Sequence, residues 1–467
     1  MGSYLTSQRS SVGSTSPAFT VSFAIELADG SMTSGYSSSN NGGTVFQGFF
    51  SGSVDGIVRP GDIVVGDWVY ASDMGLEYFD FPDRTYLPWV RCAFSKSAAT
   101  DTLGAQARQE YNSPWNCHFA ACSTYSNAKT LIATPGINNY NGGANLWGAT
   151  DAGTLPGPIG FIGIPVDGQK AVMFFGTSIC DGAGYSNMQG GVDPAYNQPR
   201  NYDLKGFPSV WAQDLSRSIP VLNFAVGSSA MWRVFSDNST DGGWSSAEPI
   251  SRQRANLARL ACFFDVIIAH DVHNEGAATG SYEGILLTFT KTMRSQNPWL
   301  KIFGCRVPNG CLDINGADVP YASASLDPRW SAQDGMVETG WWDGMLSARE
   351  VGSDQYPDLG VQLNSVSTST GTTTTLIDST SSWLTNQWQN CWVQVAGAKR
   401  QIIGNTRTQL TFAALPGAVG NATPYTIEGN TTHDGIHPNA LGMNRLAANF
   451  DTSLQARYTI PKFTRSA

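Results

Sequence analysis

The stretch Ala171–Tyr185, AVMFFGTSICDGAGY, decides the fold. Its first part, Ala171-Val172-Met173-Phe174-Phe175, is a short unbroken apolar run, the pattern of a strand buried on both faces. The run stops at Gly176-Thr177-Ser178, and Gly182 and Gly184 follow within a few positions. A serine at the end of such a strand stands at the carboxyl edge of a sheet, where open α/β folds keep their chemistry. Far along the chain, His433-Asp434-Gly435-Ile436-His437-Pro438-Asn439 offers an acid and an imidazole three residues apart. Those are the two helpers a serine nucleophile needs.

Outward from that stretch, strand and helix patterns alternate. Phe207, Val210, Trp211 and Leu215 recur at helical spacing, and Val221–Ala225 reads as a second strand running into Val226-Gly227-Ser228-Ser229. Residues 251–261 read as a helix, and Val266–Ala269 as a third buried strand. Tyr282, Ile285, Leu286, Phe289 and Met293 share one face of an amphipathic helix, and Lys301–Cys305 is a fourth strand. The alternation predicts a parallel, doubly wound sheet with right-handed crossovers.

Both ends of this region change character. Ala18–Leu27, Asp62–Tyr70 and Leu87–Phe94 read as strands, with Gly-, Ser- and Asn-rich loops between them and little helical periodicity. An all-β sandwich or jelly roll over residues 1–165 is expected. Its aromatics (Trp68, Tyr78, Phe79, Phe81, Trp89, Trp115) read first as core and second as platforms for sugar rings. Residues 359–430 hold the Ser/Thr-rich Ser367–Trp383 and the strand-and-turn pattern of Trp392–Ala414. They predict a small inserted β-module, of the kind that recurs in phage tail and bacterial surface proteins. Leu446, Phe450 and Leu454 then fall four apart, so residues 431–467 return to the α/β domain begun at 166–358.

Composition narrows the function classes. Of 467 residues only 14% are charged, the formal net charge is -9 and no basic cluster occurs, which argues against a nucleic-acid partner. No run approaches membrane-spanning length. The first residues, MGSYLTSQRSSVGSTSP, have no apolar core of the signal-peptide kind, so export by another route is expected. The eight cysteines form no CxxC; Cys117 with Cys122, or Cys305 with Cys311, are candidate pairs in an oxidising setting, against all eight being buried thiols.

Four loops at predicted strand ends or before the last helix now line up. They contain Gly176-Thr177-Ser178, Asn223-Phe224-Ala225-Val226-Gly227, Val272-His273-Asn274-Glu275 and Asp434-Gly435-Ile436-His437. In that order, they resemble the blocks of the SGNH (GDSL-type) hydrolase family over roughly Gln169–Glu350 plus His433–Arg457. The resemblance implies a three-layer α/β/α, flavodoxin-like fold. It implies Ser178 as nucleophile, His437 as base and then acid, and Asp434 as the group that orients the imidazole. It also implies an oxyanion hole made by the backbone N–H groups of Ser178 and Gly227 and the side-chain amide of Asn274. Thr177 stands where the family has Asp, Val272 where it has Gly, and Glu275 where it has Asp. His433 is the competing base, set aside because His437 has the family's spacing from Asp434.

Those roles predict a serine esterase acting through an acyl-enzyme on acyl esters, O-acetyl first among them, of a polysaccharide. No cofactor is expected. His270-Asp271-x-His273 invites a zinc reading, which is set aside because no third ligand is evident. The expected setting is extracellular or virion-associated, with a homo-oligomer, trimeric in a viral tail protein, left open. A lipase or thioesterase is the competing enzyme, but Tyr185–Tyr202 is polar rather than an acyl groove. A carbohydrate-binding adhesin with a vestigial hydrolase domain is the non-enzymatic alternative.

Overall fold

The structure, a computed structural model, describes residues 3–4, 19–27, 45–58, 64–75, 77, 88–95, 125–133, 157–158, 170–181, 206–214, 219–223, 225, 258–270, 282–307, 310–312, 318–320, 323–349, 358–383, 385, 388–389, 391–430, 438, 440–458 and 460. The chain divides into two compact units, residues 1–169 with 233–263 and 295–297, and residues 170–232 with 264–294 and 298–467.

The first unit contains β1 (Ser3–Tyr4), β2 (Phe19–Leu27), β3 (Val45–Gln47), β4 (Gly56–Val58), β5 (Pro88–Ser95), α1 (Tyr125–Ala133) and β6 (Gly157–Pro158). β2 is its centre: β5 pairs with it from Thr20↔Ser95 to Leu27↔Pro88, and β3 and β4 share its other edge, all antiparallel. Successive side chains of a strand face opposite ways. Val21, Phe23 and Ile25 therefore meet Phe50, Val58 and Met74, while Ala24 meets Ala93 and Ile132. Small residues alternate with large ones in β2 because α1 lies close on that second face. The described part is thus one four-stranded sheet with a helix against it. The only other pairing described in this unit is the two-residue antiparallel ladder of β1 with β6 (Ser3↔Pro158, Tyr4↔Gly157), and a second sheet facing the first, as a sandwich or jelly roll needs, is not among the described residues.

Two expectations change here. Helix α1 was not foreseen, although Tyr125, Ala128 and Ile132 pack on the sheet at helical spacing. Val64–Tyr70 forms no strand and joins no sheet among the described residues. It is held by Asp67, whose N–H donates to the Phe49 carbonyl (2.8 Å) and whose carboxylate accepts the Ser51 and Gly52 N–H groups (2.7 Å each). A carboxylate spent on a turn in this way replaces ladder pairing. Trp68 is exposed on the segment, edge-on to Phe263 at 6.5 Å. Tyr78, Phe79, Phe81 and Trp115, and the side chain of Trp89, lie outside the described residues.

The second unit opens with β7 (Val172–Gly176), α2 (Ser178–Asp181), α3 (Phe207–Asp214), β8 (Val221–Asn223), β9 (Val266–His270), α4 (Tyr282–Gln296) and β10 (Lys301–Arg306). A hairpin, β11 (Gly310–Leu312) with β12 (Asp318–Pro320), then α5 (Ser323–Glu338) and β13 (Gly344–Ser347) follow. The sheet is parallel throughout, in the order β8-β7-β9-β10-β13. In chain sequence that is 2-1-3-4-5, the flavodoxin-like winding, so the order reverses between β7 and β9. Every residue of β7 and β9 is buried because helices cover both faces. Phe174 points to the α3 side, 6.0 Å from Phe207 and 6.1 Å from Trp211, while Phe175 meets Phe289 of α4 at 5.3 Å. The helix read over residues 251–261 is described only as a 3-10 turn, Ala258–Phe263.

Between β13 and the last helix lies a six-stranded antiparallel sheet, β14 (Asp358–Val366), β15 (Thr375–Ile377), β16 (Trp392–Val395), β17 (Ala398–Asn405), β18 (Gln409–Phe412) and β19 (Pro424–Asn430), ordered β14-β19-β16-β17-β18-β15. Ala396 and Gly397, at φ +50° and +77°, join β16 to β17 by a two-residue turn whose twist suits a hairpin. The sheet has its own core around Leu376, Val393, Ile402, Leu410, Phe412 and Ile427. Then α6 (Ala440–Arg457) returns to the α/β core through Met443, Leu446, Phe450 and Leu454.

Asp378 organises the six-stranded sheet. It is buried, and its carboxylate accepts hydrogen bonds from Ser365 Oγ (2.8 Å), Tyr425 Oη (2.7 Å), Thr380 Oγ1 (2.5 Å) and the Thr380 N–H (3.1 Å). Burial alone would raise its pKa, but these donors outweigh it and hold the group below the ordinary 3.8. Asp378→Asn is expected to cost about 1–3 kcal/mol at neutral pH, read by urea denaturation. Because the unfolded chain binds a proton more readily than the folded one, the wild-type advantage is complete above the ordinary value of 3.8 and fades as pH falls through the lower folded value. The two stability curves should therefore converge in acid. Curves that stay parallel would remove Asp378 from this role.

Candidate active site

The site forms where the sheet order reverses, at the carboxyl ends of β7 and β9. Gly176, the last residue of β7, is in register with His270, the last of β9, and Phe174 with Asn223, the last of β8. Ser178 opens α2 two residues beyond the end of β7, so its backbone stands at this edge; its side chain lies outside the described residues. Gly227, Asn274, Asp434 and His437, with His433 and His273, lie outside them too. What the structure gives is where their loops depart. Gly227 is four residues beyond β8 and Asn274 four beyond β9, the two strands that flank β7.

Helix α6 supplies the fourth approach. Asn449 Nδ2 donates to the Ala348 carbonyl (3.3 Å), and the Ser347 N–H to Ser453 Oγ (3.0 Å). A Cβ on Gly344 would stand 3.3 Å from the Arg457 guanidinium. Helix numbers rise as strand numbers fall, so α6 runs antiparallel to β13 and its amino end lies toward the carboxyl edge. Its first residue, Ala440, follows His437 by three positions.

The strand-to-helix turn is tight. A Cβ on Gly176 would come within 2.4 Å of Cys180 Cβ, 2.6 Å of Cys180 Sγ and 3.3 Å of Ala225 Cβ. Only a glycine lets α2 fold back over the strand end. Gly176→Ala is expected to destabilise the domain by about 1–3 kcal/mol, seen as a lower denaturation midpoint. An unchanged midpoint would contradict the packing described.

Three polar side chains line this turn. Thr177, where the family resemblance has an acid, is fully buried, and its hydroxyl has no hydrogen-bond partner among the described residues. Asn223 donates from Nδ2 to the Cys180 carbonyl (2.7 Å) and accepts the Ala225 N–H at Oδ1 (3.1 Å). His270 Nδ1 lies 3.0 Å from Cys180 Sγ, and its ring stands edge-on to Phe207 at 6.2 Å. His270, the first residue of the histidine cluster whose zinc reading is set aside above, is the last strand residue, fully buried against a thiol; Asp271 and His273 lie outside the described residues. Its place in a strand could have been read from the period of Val266–Ala269. Cys180 carried no sequence signal beyond being small. Cys305 is a buried free thiol, pushed well above the ordinary range by burial, so it does not pair with Cys311; Cys117 and Cys122 lie outside the described residues.

Among the described residues, no group of three or more His, Cys, Asp or Glu could hold a metal ion, and no helix is long and apolar enough to cross a membrane. No family model matches the chain, and no curated protein does. Among solved structures, a protein described as a GDSL-like lipase from Bacteroides ovatus matches at 11% identity and a TM-score of 0.32, over 96% of this chain and 85% of that one. Another so described, from Parabacteroides merdae, matches at 14% identity and 0.25, over 38% and 76%. A carbohydrate acetylesterase from Xanthomonas citri matches at 11% and 0.25, over 57% and 74%. The chain, a five-stranded parallel α/β sheet with added antiparallel sheets, is thus distantly similar in structure to GDSL-like lipases and to a carbohydrate acetylesterase.

Proposed function

We propose that this chain is a serine ester hydrolase that cleaves O-acyl, first of all O-acetyl, groups from a polysaccharide through an acyl-enzyme. One observation carries the reading. Ser178 opens a short helix directly beyond β7, at the point where strand order reverses, and the loops that hold Gly227 and Asn274 leave the strands on either side. The amino end of α6, next to Asp434 and His437 in sequence, lies toward the same edge. In this reading His437 takes the Ser178 hydroxyl proton as the oxygen attacks the ester carbonyl, and Asp434 stabilises the imidazolium. The tetrahedral oxyanion is met by the N–H groups of Ser178 and Gly227 and the amide of Asn274. His437 then gives the proton to the sugar oxygen as its bond to the acyl carbon breaks, so that it leaves as a hydroxyl, and water repeats the sequence to free the acid.

The polysaccharide rests on softer ground: two β-rich regions, an exposed Trp68 and a sparsely charged chain. An extracellular setting goes with that substrate. The comparisons lend no support to a viral tail spike. Turnover of p-nitrophenyl acetate, followed by acetate release from a panel of acetylated glycans, tests the reading. Turnover no higher than that of Ser178→Ala would overturn it.

A further inference from the structure

We infer that Cys180 is the pin that fixes the backbone of Ser178, held from both strands that flank β7; the inference rests on the hydrolase reading above. Helix α2 has only four residues, too few to be stable by itself, so its position must come from ties outside it. Among the described residues, ties to Cys180 come from opposite sides. From β8, Asn223 Nδ2 holds the Cys180 carbonyl at 2.7 Å; from β9, His270 Nδ1 meets Cys180 Sγ at 3.0 Å. Gly176 completes the seat by leaving the space that Cys180 fills.

The tie from β8 has a second end. Asn223 Oδ1 accepts the Ala225 N–H at 3.1 Å, two residues before Gly227. One amide thus couples the serine helix to the first residues of the glycine loop. One oxyanion donor of the proposed site, the Ser178 N–H, is in this way referred to the same side chain that holds Ala225. His270 is itself steadied by the edge-on ring of Phe207. Cys180, Asn223 and His270 are positioning residues: Cys180 and His270 are fully buried, so they act through the backbone they hold. A shift of about 1 Å in a donor is enough to cost on the order of 10²-fold in rate.

Asn223→Asp is the sharpest test. It keeps the shape and the acceptor for the Ala225 N–H, but turns the donor facing the Cys180 carbonyl into an acceptor. With p-nitrophenyl acetate, kcat is expected to fall about 10- to 100-fold while KM stays within about twofold. Cys180→Ala should fall in the same way. Cys180→Ser, which keeps a donor for His270, should recover at least about half of the wild-type kcat. In parallel, amide exchange over residues 172–185 should quicken in Asn223→Asp while residues 392–412 stay unchanged. A kcat within twofold of wild type in Asn223→Asp, or a rise in KM at constant kcat, overturns the proposal. If the wild type shows no turnover that depends on Ser178, the hydrolase reading fails instead. The pin is then judged by exchange alone, and unchanged exchange over residues 172–185 overturns it.

Discussion

Ser178→Ala is expected to lower kcat for p-nitrophenyl acetate by about 10⁵- to 10⁶-fold, with KM little changed. The size follows from what the hydroxyl does. It is the atom that attacks, and with it gone only a water held near the oxyanion donors can react, which leaves a small residue of catalysis. His437→Ala should cost nearly as much, because a serine without its base is a weak nucleophile at neutral pH. The double variant Ser178→Ala/His437→Ala should be no worse than either alone, since the two act as one unit. His433→Ala should keep most of the activity. Steady-state kinetics on purified variants checks all four, and loss in His433→Ala with survival in His437→Ala would reassign the base.

The strands that build this site were legible because burial on both faces makes a strand apolar throughout. Val172–Phe175, Val266–Ala269 and Lys301–Cys305 each fall within a strand, and their parallel order follows from the helices between them. Elements that bury polar groups were not legible. Helix α5 seats Arg329 and Gln333 inside with Trp330, Ala332 and Met336, so its inner face shows no apolar period. Strand β13 is only four residues, two of them half-buried at the sheet edge, which is too short a pattern to read. Asp62–Tyr70 differs the other way: its alternation is strand-like, yet Asp67 uses its carboxylate on the Ser51–Gly52 turn, and the described part, residues 64–70, joins no ladder among the described residues.

At the site, the sequence named residues by type and order, and the structure supplies the frame from which they hang. Ser178 could be read because the glycine before it marks a close approach, and that approach is seen against Cys180. The ties at Cys180 could not be read. A buried thiol, an amide at a strand end and an imidazole closing another strand come together only once β8 and β9 lie on either side of β7.

Phe450→Ala is expected to destabilise the α/β domain by about 3–5 kcal/mol, a large share of the ~5–15 kcal/mol that holds an ordinary domain folded. Phe450 is fully buried, with its ring 5.4 Å from Phe174, 5.7 Å from Phe207 and 5.1 Å from Trp211. Those partners belong to β7 and α3, which the six-stranded sheet separates from α6 along the chain. The α/β core is therefore closed by its last helix, and the Trp211 Nε1–H bond to Asp451 (2.9 Å) fixes the helix in register. A cavity at residue 450 loosens the element whose amino end follows His437, so ester turnover should fall together with stability. The six-stranded sheet has its own core around Val393, Ile402 and Phe412, and its unfolding should be unaffected. Urea denaturation followed at two probes, amide exchange over residues 172–176 and over residues 392–412, separates the two transitions. Phe450→Leu, which fills more of the cavity, should recover part of the loss. Equal destabilisation at both probes would mean that α6 supports the inserted sheet as much as the α/β core, and would reassign its role.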